Sequence, residues 1–211
     1  MIHAEAALEE LREGNRRFVA NEGKAAKGRP ARRDEVVGVQ NPIAVVLGCS
    51  DSRVPPELVF DQDLGDLFVV RVAGNVLGPA QVGSLDFAVD ALGVRLVVVL
   101  GHSGCGAVKA AVEEHTGVSG PASPNLNGIL EMIRSSVEDG PSREGQSRMA
   151  SAVRANVRAS VEALRGEAGP IQRLIQDAGL LVVGAEYSLE TGVVDFFDGV
   201  PGAVEEGLAC G

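Results

Sequence analysis

With 211 residues, 45% of them hydrophobic, the chain can bury one full core, and a second domain would leave each half small. Aromatic residues make up only 3% and Trp is absent, which speaks against an aromatic-rich β-sandwich and for an α/β interior of aliphatic strands. A formal charge of −10 excludes a broad nucleic-acid footprint, because phosphate binding needs clustered Lys and Arg. Along the chain, Ala4, Leu8, Leu11 and Phe18 recur near helical spacing with Glu9, Glu10, Arg12 and Arg16 on other faces, predicting an amphipathic first helix. Asn21 to Asp34, with Gly23, Gly28 and Pro30, reads as a loop. Seven basic residues and one acid lie between Arg16 and Arg33, either a solvated loop or an arm for an acidic neighbouring subunit. Residues 1–35 are therefore expected to form a helix-and-loop arm on one domain spanning 1–211.

The apolar run Ile43–Gly48 predicts a buried strand, and it stops at Cys49-Ser50-Asp51-Ser52-Arg53. Val54-Pro55-Pro56-Glu57 starts a short helix, since Pro is tolerated in a first turn. Leu67–Ala73 is a second strand carrying Arg71, closed by Gly74-Asn75. Pro79–Leu92 predicts a crossover helix. Leu96–Gly101 is a third buried strand that runs into His102-Ser103-Gly104-Cys105-Gly106, where a helix opens and reaches about Glu114. Residues 121–164 read as mostly helical with a break at Gly140-Pro141, and Pro170–Ala178 as a further helix. Leu180–Glu186 is a fourth strand, with Gly192–Phe197 returning antiparallel to it. The expected architecture is α/β: a mostly parallel central sheet of about four strands, an antiparallel C-terminal edge strand, flanking helices and an N-terminal helical arm.

Two buried strands thus end in soft metal ligands. In an open parallel sheet, ligands collect outside the carboxyl ends of the strands, so neighbouring strands would bring Cys49, His102 and Cys105 to one point. Two Cys and one His suit zinc, and three protein ligands leave its fourth tetrahedral position for water, as catalytic sites do. Asp51 could fill that position or pair with Arg53 instead. The helix opening at Gly106 turns unpaired N–H groups toward the site, favouring thiolates and anions. The glycines around His102 do not form a dinucleotide or phosphate-loop pattern.

The pattern Cys49-x-Asp51-x-Arg53 together with His102-x-x-Cys105 resembles the β-class carbonic anhydrases, and the similarity extends from about Val39 to Val108 and more loosely to the termini. That resemblance implies reversible hydration of carbon dioxide to bicarbonate and a proton at one Zn²⁺ per chain. It implies Asp51 and Arg53 as a catalytic pair, Arg53 holding the carboxylate off zinc, and a closed form in which Asp51 ligates the metal. Gln40, Phe68, Phe87 and the Gly106 N–H occupy substrate-binding positions, the aromatics often reaching an adjacent subunit, although Phe68, Phe87 and Gln40 also read as ordinary core and loop residues. Part of the family binds a regulatory bicarbonate through a Trp; Val46 stands in its place here, while Arg71 and Tyr187 match the companion positions. The rivals are hydrolysis of carbonyl sulfide or carbon disulfide at the same zinc set, and a low-turnover zinc protein that binds bicarbonate.

The remaining expectations concern surroundings. Three Cys without a spacing framework do not form a disulfide scaffold, which points to a reducing compartment. No run reaches membrane-span length, and the acidic N-terminus does not read as a signal peptide, so a cytoplasmic protein is expected, with no nucleic-acid or membrane partner. The resemblance implies a homodimer or tetramer. His3 and His115 read as solvated histidines, and Cys210 as an exposed free thiol.

Overall fold

The computed structural model describes residues 2–23, 29–115, 123–138, 147–166 and 168–202. At its centre stands a five-stranded sheet in the order β2-β1-β3-β4-β5. The strands are β1 (Ala44–Gly48), β2 (Leu67–Arg71), β3 (Leu96–His102), β4 (Leu181–Tyr187) and β5 (Val194–Asp198). β1 pairs parallel with both β2 and β3, β3 pairs parallel with β4, and β5 closes one edge antiparallel to β4. Every residue of β1 and β3 is buried, the consequence of apolar side chains directed to both faces of a covered sheet.

One face carries Val46, Val98, Leu100 and Val183, packed against Leu8 and Leu11 of α1 (Ala4–Val19) and against Val59 and Phe60 at the end of α3 (Pro56–Val59). The N-terminal helix therefore packs on the core of its own chain. Asn15, 5% exposed, fastens it there: its amide donates to Val59 O and Gly192 O and its Oδ1 accepts from Val194 N. The opposite face carries Val45, Leu47, Val97, Val99 and Val182 against Leu85 of α4 (Pro79–Asp86), Ile171 of α8 (Pro170–Ala178), and Val157, Val161 and Leu164 of α7 (Arg148–Gly166). α7 approaches the sheet closely because β3 and β4 present Gly101 and Gly184 to it. A Cβ on Gly101 would stand 2.6 Å from Val157 Cγ2.

Several elements differ from expectation. Within the predicted loop Asn21–Asp34, residues 29–35 form a short helix, α2 (Arg29–Glu35), with Pro30 in its first turn, where a missing N–H costs nothing. Arg32 ties it down by donating to Leu64 O and Asp66 Oδ1. The crossover helix opens at its end into a wider π-turn, Phe87–Ala91, whose Val89 carbonyl accepts from Arg95. The break predicted at Gly140-Pro141 lies outside the described residues, between α6 (Pro124–Glu138) and α7. α5 (Gly106–His115) begins one residue after Cys105. Among the described residues, no helix is long and apolar enough to cross a membrane.

Candidate metal centre

Because β1 and β3 are adjacent and parallel, their carboxyl ends deliver Cys49, His102 and Cys105 to one place. Their ligand atoms all lie within 4.8 Å of one another, and the three residues are buried. The sulfurs of Cys49 and Cys105 are 4.0 Å apart. Two Zn–S bonds of about 2.3 Å meeting at a tetrahedral angle place sulfurs about 3.8 Å apart, so the pair is already near metal-binding spacing. His102 Nδ1 lies 2.9 Å from Ser103 O and must donate to it, which leaves Nε2 as the ring atom that can ligate a metal. That Nε2 is buried without a hydrogen-bond partner. A buried ring nitrogen without a partner beside two sulfurs is a costly arrangement unless a cation completes it, and the donor set fits zinc.

The protonation states lead to the same conclusion. Hydrogen bonding to the Cys105 thiol pulls the Cys49 thiol down, against burial; N–H groups of Gly74 and Asp51 also point at this sulfur. Facing that thiolate, Cys105 is pushed up. Two sulfurs this close hold one proton between them until a divalent charge lets both ionise. Burial pushes the His102 imidazole down, but the Cys49 sulfur, the Ser103 carbonyl and the Asp51 carboxylate together more than offset it.

Asp51 and Arg53 meet at the rim. Arg53 Nε donates to Asp51 Oδ1 at 2.9 Å and Nη2 to Oδ2 at 2.7 Å, with the Arg53 backbone N–H also on Oδ1. This guanidinium holds the Asp51 carboxyl well below the usual carboxylate range. Asp51 Oδ2 remains 4.0 Å from His102 Nε2. Arg71, at the end of β2, donates to Cys49 O at 2.9 Å and Asp51 O at 2.6 Å, bracing the loop between the ligand and the carboxylate.

A family model described as carbonic anhydrase matches residues 44–194. Carbonic anhydrase 2 of Mycobacterium tuberculosis is 40% identical over 187 residues, covering 89% of each chain, and the carbonic anhydrase of Mycolicibacterium smegmatis is 39% identical over 193 residues, covering 90% of this chain and 91% of its own. A solved Coccomyxa β-carbonic anhydrase in complex with acetazolamide superimposes with a TM-score of 0.70 at 28% identity, covering 90% of this chain and 85% of its own. The chain belongs to the β-class carbonic anhydrases. As a carbonate dehydratase it interconverts carbon dioxide and bicarbonate.

Not all the expected residues of this carbonic anhydrase gather at the metal centre of one chain. Gly106 does, as the first residue of α5 beside Cys105. Gln40 is exposed and precedes β1, whose far end carries the site. Phe68 pairs with Val45, three residues short of the carboxyl end of β2, and stacks at a tilt on Phe87 with ring centroids 6.1 Å apart. Phe87 is half exposed. Val46 and Tyr187 lie together in the apolar layer under α1, and Arg71 spends its donors on the metal loop. His3 is exposed; the His115 side chain and Cys210 lie outside the described residues.

Sequence reasoning missed the brace supplied by Arg71, although one charge in an apolar strand was a visible signal. It also missed Ser103 Oγ, which donates to Glu190 and accepts from Leu189 N, tying the His102 loop to the β4–β5 turn. Nothing in the spacing of those residues betrays the contact.

Proposed function

We propose that the chain hydrates carbon dioxide at one zinc ion held by Cys49, His102 and Cys105, with Asp51 and Arg53 as the catalytic pair. The observation carrying this reading is the unpartnered, buried His102 Nε2 facing two sulfurs 4.0 Å apart. When bound, zinc supplies Lewis acidity that brings the pKa of a water from 15.7 toward 7. Cys49 and Cys105 would hold the ion as thiolates and neutralise its charge, and His102 would bind it through Nε2, its ring fixed by the bond from Nδ1 to Ser103 O. Arg53 grips both Asp51 oxygens and would hold the carboxylate away from a bound ion, leaving a coordination position for water. Asp51 would accept a hydrogen bond from the attacking water or hydroxide and so orient it toward the carbon of carbon dioxide. The Gly106 N–H donates to the bicarbonate anion, aided by the positive end of α5.

A second copy of this chain completes the pocket. Gln40 and Phe87 are exposed and Phe68 is partly buried, all three away from their own site, which suits contribution to a neighbour's, in a dimer or a tetramer built of dimers. The whole of 1–211 is one domain, with residues 1–35 as an arm that also reaches the neighbour. Free thiol ligands require reducing surroundings, which the cytoplasm provides. No observation favours carbonyl sulfide, carbon disulfide or a purely bicarbonate-binding role.

The test is zinc content with stopped-flow carbon dioxide hydration for the wild type and Cys105→Ser. One zinc per chain and a large loss of both metal and rate in the variant are expected. A fully active, metal-free protein would overturn the reading.

A further inference from the structure

Two buried polar side chains on α7 have no part in the chemistry above. Asn156 is 2% exposed and Ser160 7%, and both face the short turn Ala73–Asn75 that follows β2. Asn156 Nδ2 donates to Gly74 O at 2.8 Å and Ser160 Oγ to Asn75 O at 3.2 Å. The Gly74 N–H, in turn, donates to Cys49 Sγ at 3.4 Å.

This turn needs holding. Gly74 has φ 71° and Asn75 φ 45°, and the left-handed region is uncommon for a residue with a side chain. No side chain can stiffen position 74, since a Cβ there would stand 2.7 Å from Ile133 Cδ1 and 3.2 Å from Ala107 Cβ. Rotation of the peptides remains, and a rotated Gly74 turns its N–H away from the sulfur. The two bonds from α7 oppose that rotation by anchoring both carbonyls. An N–H on a thiolate draws charge from it, and such outer contacts set both ligand orientation and metal affinity.

We infer that Asn156 and Ser160 are positioning residues: through the Ala73–Asn75 turn they keep the Gly74 N–H on Cys49 Sγ and so limit the charge this sulfur donates to the metal. The inference rests on Cys49 being a metal ligand, as proposed above.

Cobalt(II) in place of zinc tests it in the full-length protein, because a bound thiolate gives a charge-transfer band whose energy falls as the sulfur becomes a stronger donor. Asn156→Leu keeps the volume and removes the donor. Ser160→Ala removes one hydroxyl and is the milder variant should the first fail to fold. Val161→Ala shortens another buried side chain of α7, away from the turn. The band should move to longer wavelength in Asn156→Leu, less far in Ser160→Ala, and stay in place in Val161→Ala. A band at the wild-type position in both polar variants, or an equal shift in Val161→Ala, overturns the inference while leaving the metal site standing. A wild-type protein with no thiolate band rejects the metal reading itself and this inference with it.

Discussion

Gly101 is the residue before His102, and it is glycine for space, not for backbone freedom. A Cβ there would stand 2.6 Å from Val157 Cγ2 and 3.3 Å from Val153 Cγ1. Carbon atoms rest at about 3.5–4.0 Å, so Gly101→Ala must push α7 or β3 by about 1 Å. Overpacking of this kind costs about 1–3 kcal/mol, and the stiffer unfolded chain of an alanine returns about 0.4–1 kcal/mol, leaving a net loss of about 1–2 kcal/mol. Val157→Ala alone opens a cavity in the layer between sheet and helix, with a cost of about 1–3 kcal/mol for two methyl groups. Combined, the new methyl occupies space the valine vacated, so the double variant should be less destabilised than the sum by about 1–2 kcal/mol. Urea unfolding of all four zinc-loaded proteins, at one protein concentration, closes the cycle. Strict additivity within about 0.5 kcal/mol would refute the reasoning, because it would mean α7 does not rest on Gly101.

Other outcomes follow from the same contacts. Asn15→Ala leaves Val59 O, Gly192 O and Val194 N without their partner, and three bonds at about 1 kcal/mol each predict a loss of about 3 kcal/mol; a urea midpoint corresponding to under 1 kcal/mol would show that the amide does not clamp α1. Arg53→Lys cannot grip both Asp51 oxygens with one nitrogen, so kcat/KM for carbon dioxide hydration should fall by severalfold. An unchanged rate would remove the pair from the mechanism. Glu190 lies below its ordinary value, first through the bond from Ser103. A carboxylate depressed on folding stabilises fully above its unfolded pKa and loses that contribution as pH falls through the folded value. The melting-temperature gap between wild type and Glu190→Gln should therefore be widest near neutrality and narrow in acid, and a gap that widened in acid would contradict the contact.

The centre of the sheet was legible because β1 and β3 are short unbroken apolar runs closed by glycine, which admit no other burial than on both faces. Helix limits were legible where proline marks the start, as at Pro170, and less so where the signals conflict. Gly23, Gly28 and Pro30 suggested loop throughout, yet α2 forms once Arg32 finds Leu64 O and Asp66 across a gap of more than thirty residues. The π-turn at Phe87–Ala91 has the same origin: Arg95 and the β3 entry set where the crossover must end, and no local pattern encodes that.

At the site, legibility divides by chemistry. A soft divalent ion accepts few side chains, so Cys49, His102 and Cys105 could be read as a set from two strand ends, and Arg beside Asp has few rivals for a forked grip. The residues that steady this set act instead on backbone carbonyls, and a carbonyl accepts from any donor. Arg71 on Cys49 O and Asp51 O, Asn156 on Gly74 O and Ser160 on Asn75 O could each be replaced, in a differently packed relative, by another polar group from another element. Their identities depend on which helix or strand happens to pass within 3 Å, which is fixed only when the glycines at 101 and 184 let α7 settle on the sheet. The ligands of a metal site are therefore written in the sequence as a pattern, whereas their supports are a property of the packing and emerge with the fold.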